Sequence, residues 1–173
     1  MNLKTLISED ELNNRIEEIA QEINKEYKDE EIVLICILTG AVYFAIDLSK
    51  KIKSNKLTLE FMKVSSYGNS SESTGEVKIK KDLENSIAGK NVIIVEDIID
   101  TGLTIHTLQK LLMDRNPKSL KICTLLDKKE RRKVEVEADY VGFEIPNKFV
   151  IGYGLDYKEY YRNLPYVAFC EDE

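Results

Sequence analysis

Residues 92–104 read Val-Ile-Ile-Val-Glu-Asp-Ile-Ile-Asp-Thr-Gly-Leu-Thr. Four β-branched apolar residues without a polar break describe a strand buried on both faces. The run is expected to stop at two adjacent carboxylates, Glu96 and Asp97, which places acids at the C-terminal end of a strand. Asp100, Thr101, Gly102 and Thr104 follow as a short loop, and Ile105, Leu108, Leu111 and Leu112 then recur at helical spacing. The unit is strand, loop, helix N-terminus. In an open parallel sheet such a junction binds ligands, because the first N–H groups of the helix lack partners and the dipole there favours an anion. A phosphate fits this loop: Gly102 lets backbone approach an oxyanion closely, and Thr101 and Thr104 add hydroxyl donors. Carboxylates only accept hydrogen bonds and repel phosphate, so the adjacent pair suits a vicinal diol. Together, pair and loop point to a ribose 5-phosphate. The simpler alternative, acids that merely end a strand and an aspartate that caps a helix, leaves two threonines and a glycine in the same stretch unexplained.

The stretch resembles the phosphoribosyl-pyrophosphate-binding motif of type I phosphoribosyltransferases, two acids followed by Asp-Thr-Gly-x-Thr. That motif alone leaves the nucleobase open. It also admits regulators that keep the fold without the reaction, so the rest of the chain has to decide.

Length and composition narrow the choice. At 173 residues with 43% hydrophobic residues the chain suits one domain with a full core. A net charge of −6 and a pI near 5.1 oppose the phosphate-driven attraction of general nucleic-acid binders, and no nucleic-acid partner is expected. No apolar run approaches a membrane span and the N-terminus lacks the apolar core of a signal peptide, so a cytoplasmic protein without membrane contact is expected. Cys36, Cys123 and Cys170 are far apart and odd in number, and they read as reduced structural thiols. With one histidine and no Cys-x-x-Cys, a protein-built zinc site is not expected.

Outward from the centre, Ser8 to Glu11 fits a capping box, and Leu12, Ile16, Ile19 and Ile23 recur at helical spacing, predicting a helix to about Tyr27. Ile32–Leu38 is a second buried strand, followed by Thr39-Gly40-Ala41 and a helix from about Val42. The strand-loop-helix device thus occurs twice, and a tight Thr-Gly turn at a strand end either presents N–H groups to an anion or simply makes the turn. Leu57, Leu59 and Phe61 alternate as a strand with one wet face. Residues 65–75 are small and polar apart from Tyr67, and predict a flexible excursion between antiparallel strands, read as a lid over the site. Val77–Ile79 pairs back, Asn85–Gly89 turns, Asn116-Pro117 ends the central helix, and Leu120–Leu126 is the next parallel strand. His106, in the first turn of the central helix, is given no role. The charge run after Leu126 reads as a solvated loop by composition. Its position nevertheless brings Lys128 to the sheet edge that carries Glu96 and Asp100, where a donor-only side chain could read a carbonyl oxygen.

The segment from Asp139 to Leu164, with Glu144-Ile145-Pro146-Asn147-Lys148-Phe149-Val150 and Leu155-Asp156-Tyr157, resembles the C-terminal hood of the 6-oxopurine branch, the hypoxanthine and hypoxanthine-guanine phosphoribosyltransferases. The resemblance covers nearly the whole chain. It implies an α/β fold, a twisted mainly parallel sheet flanked by helices, with a small hood and a flexible antiparallel loop. One domain is expected over 1–173, the lid at about 65–76, and the hood at about 128–173 together with the N-terminal segment.

The same resemblance implies roles. Glu96 and Asp97 would hold the ribose hydroxyls, with Thr101, Gly102, Leu103 and Thr104 around the 5-phosphate and Asp100 as general base or partner of purine N7. Leu38, Thr39 and Gly40 match the pyrophosphate loop, which often carries a cis peptide before the Thr position, and Arg162 matches the arginine near pyrophosphate. Ser66 and Tyr67 match the lid. Lys128 matches the lysine at the purine 6-oxygen, Phe149 the stacking aromatic, the Val150 backbone a polar contact at the base's other edge, and Asp156 the acid near a second magnesium. Magnesium is the implied cofactor, near Glu96, Asp97 and Asp156, and a homodimer or homotetramer the implied assembly. The implied substrates are phosphoribosyl pyrophosphate and a 6-oxopurine. Two rivals stay open at this point: a xanthine-preferring enzyme, and a regulator that binds phosphoribosyl pyrophosphate as a signal.

Overall fold

The computed structural model describes residues 1–66 and 76–171. In chain order the elements are β1 (Leu3–Ile7), α1 (Glu9–Tyr27), β2 (Ile32–Leu38), α2 (Val42–Lys51), β3 (Leu57–Ser66), β4 (Val77–Lys81), β5 (Asn91–Ile99), α3 (Leu103–Met113), β6 (Ser119–Asp127), a single 3-10 turn (Lys129–Arg131), β7 (Tyr140–Glu144), β8 (Val150–Ile151) and β9 (Val167–Cys170).

The six-stranded sheet has the order β4-β3-β2-β5-β6-β7. All its pairs are parallel except β3 with β4. The apolar runs of β2 and β5 are buried on both faces, as unbroken hydrophobic strands in a parallel sheet must be. Alternate residues feed two cores. Leu34, Cys36, Ile93 and Val95 pack with α1 and α2, and Val33, Ile35, Val92 and Ile94 pack with α3. Register follows from this alternation, because a one-residue slip would exchange the two faces.

α1 begins as its sequence dictates. The Ser8 hydroxyl accepts from the Glu11 N–H at 3.1 Å, and the Glu11 carboxylate accepts from the Ser8 N–H at 3.3 Å. Arg15 on this helix reaches across to the carbonyls of Val141 and Gly142, at 2.7 and 3.0 Å, and so caps the open edge of β7. No helix among the described residues is long and apolar enough to cross a membrane.

Two expectations need correction. β5 does not stop at the carboxylates but runs on to Ile99, with Glu96 opposite Thr124 and Ile98 opposite Leu126 on β6. The apolar pair after the acids keeps the ladder going. Secondly, Tyr140–Glu144 is the last strand of the main sheet, parallel to β6, whereas a smaller antiparallel sheet of order β1-β9-β8 stands apart from it.

Candidate active site

The C-terminal ends of β2, β5 and β6 converge. At the end of β5 the chain turns through Gly102, whose φ of 84° is left-handed, and enters α3 with an N-cap residue that has no side chain to cap it. A cavity of about 230 Å³ opens there, lined by Glu96, Ile98, Ile99, Asp100, Thr101, Gly102, Thr104, Ile105 and Arg131. An anion in this position would meet the N–H groups and the dipole at the start of α3. The Leu103 N–H is held loosely by the Thr101 hydroxyl at 3.4 Å, and the Thr104 hydroxyl lies 3.1 Å from that of Ser66 at the end of β3. Tyr67 lies outside the described residues.

The acids are under-compensated. Burial, reinforced by the charge of Asp97, pushes the Glu96 carboxyl well above the usual range. Burial also lifts Asp97 to about 6, although the Ile98 N–H and the charge of Arg162 oppose the rise. Among the described residues neither acid forms an ion pair.

Leu38, Thr39 and Gly40 form the turn at the end of β2, with a cis Leu38–Thr39 peptide. Bare backbone at Gly40 is required by its neighbours, since a Cβ there would overlap Asp97 Oδ2. Gly154 lies on the other side, at a φ of 99°, where a Cβ would overlap the Gly40 carbonyl. The Gly154 carbonyl accepts from Arg162 Nη1 at 2.6 Å. A chain of close contacts therefore runs from Asp97 through Gly40 and Gly154 to Arg162.

Lys128, only 7% exposed, follows β6, and its N–H donates to the Ile99 carbonyl at 2.9 Å. Burial lowers its pKa while the Asp100 carboxylate raises it. Phe149 is half exposed and meets Tyr157 edge-to-face at 5.9 Å, with Val150 buried beside it in β8. Neither Lys128, Phe149, Asp97 nor Arg162 lines the cavity at the loop.

Asp156 is already engaged. It accepts from the Glu159 N–H at 2.8 Å and lies 3.6 Å from Arg162. Its charge also acts on Asp97, yet among the described residues no group of three or more His, Cys, Asp or Glu side chains is arranged to hold a metal. The donor set still fits magnesium, a hard cation that uses one or two carboxylates together with substrate phosphate oxygens. Buried acids with raised pKa values are what such a cation would relieve.

Sequence reasoning missed Ile98, Ile99, Ile105 and Arg131 as cavity residues. The isoleucines were legible as the continuation of an apolar run past the acids. Nothing local marked Arg131, which reaches Asp100 from 31 positions away.

Residues 8–158 match the phosphoribosyl transferase domain. The chain belongs to the phosphoribosyltransferase family. Within it, the chain is 52% identical over 165 residues to a hypoxanthine-guanine phosphoribosyltransferase of Bacillus subtilis, covering 95% of this chain and 91% of that one. It is 51% identical over 170 residues to the bifunctional protein TilS/HprT of Listeria monocytogenes, where the match spans 98% of this chain but 26% of that longer protein. A crystal structure of a hypoxanthine-guanine phosphoribosyltransferase from Bacillus anthracis superposes with a TM-score of 0.93 at 52% identity, covering 96% of this chain and 98% of that one. The type I phosphoribosyltransferase fold thus accounts for the parallel sheet and the placement of its loops.

Proposed function

We infer that this chain transfers the 5-phosphoribosyl group of phosphoribosyl pyrophosphate to a 6-oxopurine, hypoxanthine and also guanine, giving IMP or GMP and pyrophosphate in purine salvage. The observation that carries this reading is the cavity beside Thr101–Thr104, which joins the glycine-started N-terminus of α3 to a buried carboxylate. Neither rival is favoured: the relatives over nearly the whole chain are named for hypoxanthine or hypoxanthine-guanine transfer, and an acidic chain offers a nucleic-acid regulator no basic footprint.

In this reading the 5-phosphate sits on the N–H groups and hydroxyls of Thr101–Thr104, and Glu96 and Asp97 accept the ribose hydroxyls. Arg162 and the Leu38–Gly40 turn face the diphosphate. Lys128 donates to the purine 6-oxygen, which rejects adenine because an ammonium cannot accept from an amino group. Phe149 stacks on the base and the Val150 backbone fixes its other edge. Asp100 takes or holds the proton at N7.

Displacement at the anomeric carbon develops oxocarbenium character. Acids around the ribose stabilise charge that appears only in the transition state. Glu96 and Asp97, with Asp156 towards them, would hold magnesium, which would supply charge neutralisation for the departing pyrophosphate. Ser66 at the end of β3 takes the role of helping to exclude water as a competing nucleophile, a role shared by Tyr67, which lies outside the described residues. A single domain acting as a cytoplasmic homodimer or homotetramer completes the proposal.

Hypoxanthine, guanine and xanthine should be assayed side by side with phosphoribosyl pyrophosphate and magnesium. Nucleotide formation from hypoxanthine and guanine supports the reading. A strong preference for xanthine, or no turnover with any base, contradicts it.

A further inference from the structure

Arg131 and Arg132 are consecutive but are held in opposite ways. Arg132 is a fixture: its guanidinium donates to the Asp100 carbonyl at 2.9 Å and to Asp127 Oδ1 at 2.6 Å, bracing the ends of β5 and β6 together. Arg131 extends from the 3-10 turn into the cavity wall beside Thr101, Gly102 and Thr104. There it makes one side-chain contact among the described residues, from Nε to Asp100 Oδ1 at 2.8 Å. Both partners of that pair are more than a third exposed, at 37% and 42%. An exposed, singly bonded pair is weakly held, whereas a guanidinium facing a phosphate gains two parallel charge-assisted bonds. Among the described residues Arg131 is also the one cation lining a cavity whose other charged walls are Glu96 and Asp100.

We propose that Arg131 is a phosphate-binding residue of this cavity, parked on Asp100 while the cavity is empty and transferred to the anion when a sugar phosphate enters. The proposal rests on the functional reading above and adds a residue and a sequence of contacts to it. Transfer leaves the Asp100 carboxylate without its guanidinium partner at the moment a purine nitrogen needs an acceptor. Sugar-phosphate binding therefore prepares the base site.

The test is calorimetric titration with ribose 5-phosphate, using wild type, R131Q, R131K, D100N and the R131Q/D100N double variant, all checked for an unchanged thermal midpoint. R131Q is expected to weaken binding at least tenfold and R131K by less than threefold. D100N should tighten binding severalfold in the wild-type background, by releasing Arg131, and by less than twofold in the R131Q background. Three outcomes overturn the proposal: no binding to wild type, R131Q binding as wild type does, or equal tightening by D100N in both backgrounds, which would mean direct repulsion of the phosphate by Asp100. Turnover of phosphoribosyl pyrophosphate with hypoxanthine, measured on the same wild-type sample, tests the functional reading separately.

Discussion

Gly40 lies against the Asp97 carboxylate so closely that a Cβ at position 40 would overlap Oδ2. The turn after β2 and the acids of β5 are therefore one packed unit. Gly40→Ala should force the carboxylate or the turn aside, at a stability cost of about 1–3 kcal/mol. Since a displacement of an ångström at reacting groups can cost about 100-fold, kcat/KM for phosphoribosyl pyrophosphate should fall by about that factor. Steady-state kinetics and thermal unfolding check both. An unchanged kcat/KM would show that the turn takes no part in positioning the acids.

Asp100 is predicted to act mainly in the transition state. Asp100→Asn should lower turnover of base and sugar diphosphate by about 10²–10⁴-fold, with a much smaller change in the dissociation constant of IMP. Rapid-quench turnover and equilibrium IMP binding separate the two. Equal losses in both would assign Asp100 to binding alone.

Lys128 is buried, and its ammonium has no acceptor capacity. Lys128→Gln removes a charge-assisted donor and substitutes an amide that can also accept, so kcat/KM for hypoxanthine should drop by about 10–100-fold. Discrimination against adenine should narrow at the same time. Competition assays with both bases measure the ratio, and a drop without any change in the ratio would argue for a purely structural lysine.

The acids should also leave a mark on stability. Burial raises Asp97 from its ordinary 3.8 to about 6. Between those values the native state binds more protons than the unfolded chain, so this group makes stability fall as pH rises from about 4 to about 6, with no further loss above. Asp97→Asn should remove that slope and raise the thermal midpoint at pH 7, while lowering activity. Asp82 works the other way. Its bonds to Arg115, at 2.8 and 2.9 Å, hold its carboxyl below the usual range, so its contribution is present above pH 4 and lost only in stronger acid. Thermal scans of wild type and Asp97→Asn from about pH 2.5 to 7.5 separate the two contributions.

Legibility in the sequence followed how local the determining physics is. The capping box at Ser8 fixed the start of α1, and the apolar run Ile32–Leu38 is β2 with the same bounds. The acids of β5 were recognisable as chemistry but misplaced as a strand end, because hydrogen bonding to β6 carries the strand through them to Ile99. β1, β8 and β9 carry short, weak patterns of their own and form because each supplies the others' hydrogen bonds, with Leu3 opposite Cys170 and Val150 opposite Phe169. A charge run that reads as solvent-facing hid the different roles of Arg131 and Arg132. Only the turn after Lys128 decides which of the two faces the cavity.

The most direct test of the account is a crystal structure of the protein with IMP. The account predicts the 5-phosphate within hydrogen-bond distance of the Thr101–Thr104 N–H groups, the ribose hydroxyls facing Glu96 and Asp97, and the 6-oxygen facing Lys128. A nucleotide bound with its phosphate away from that loop, or its ribose away from those acids, would contradict it.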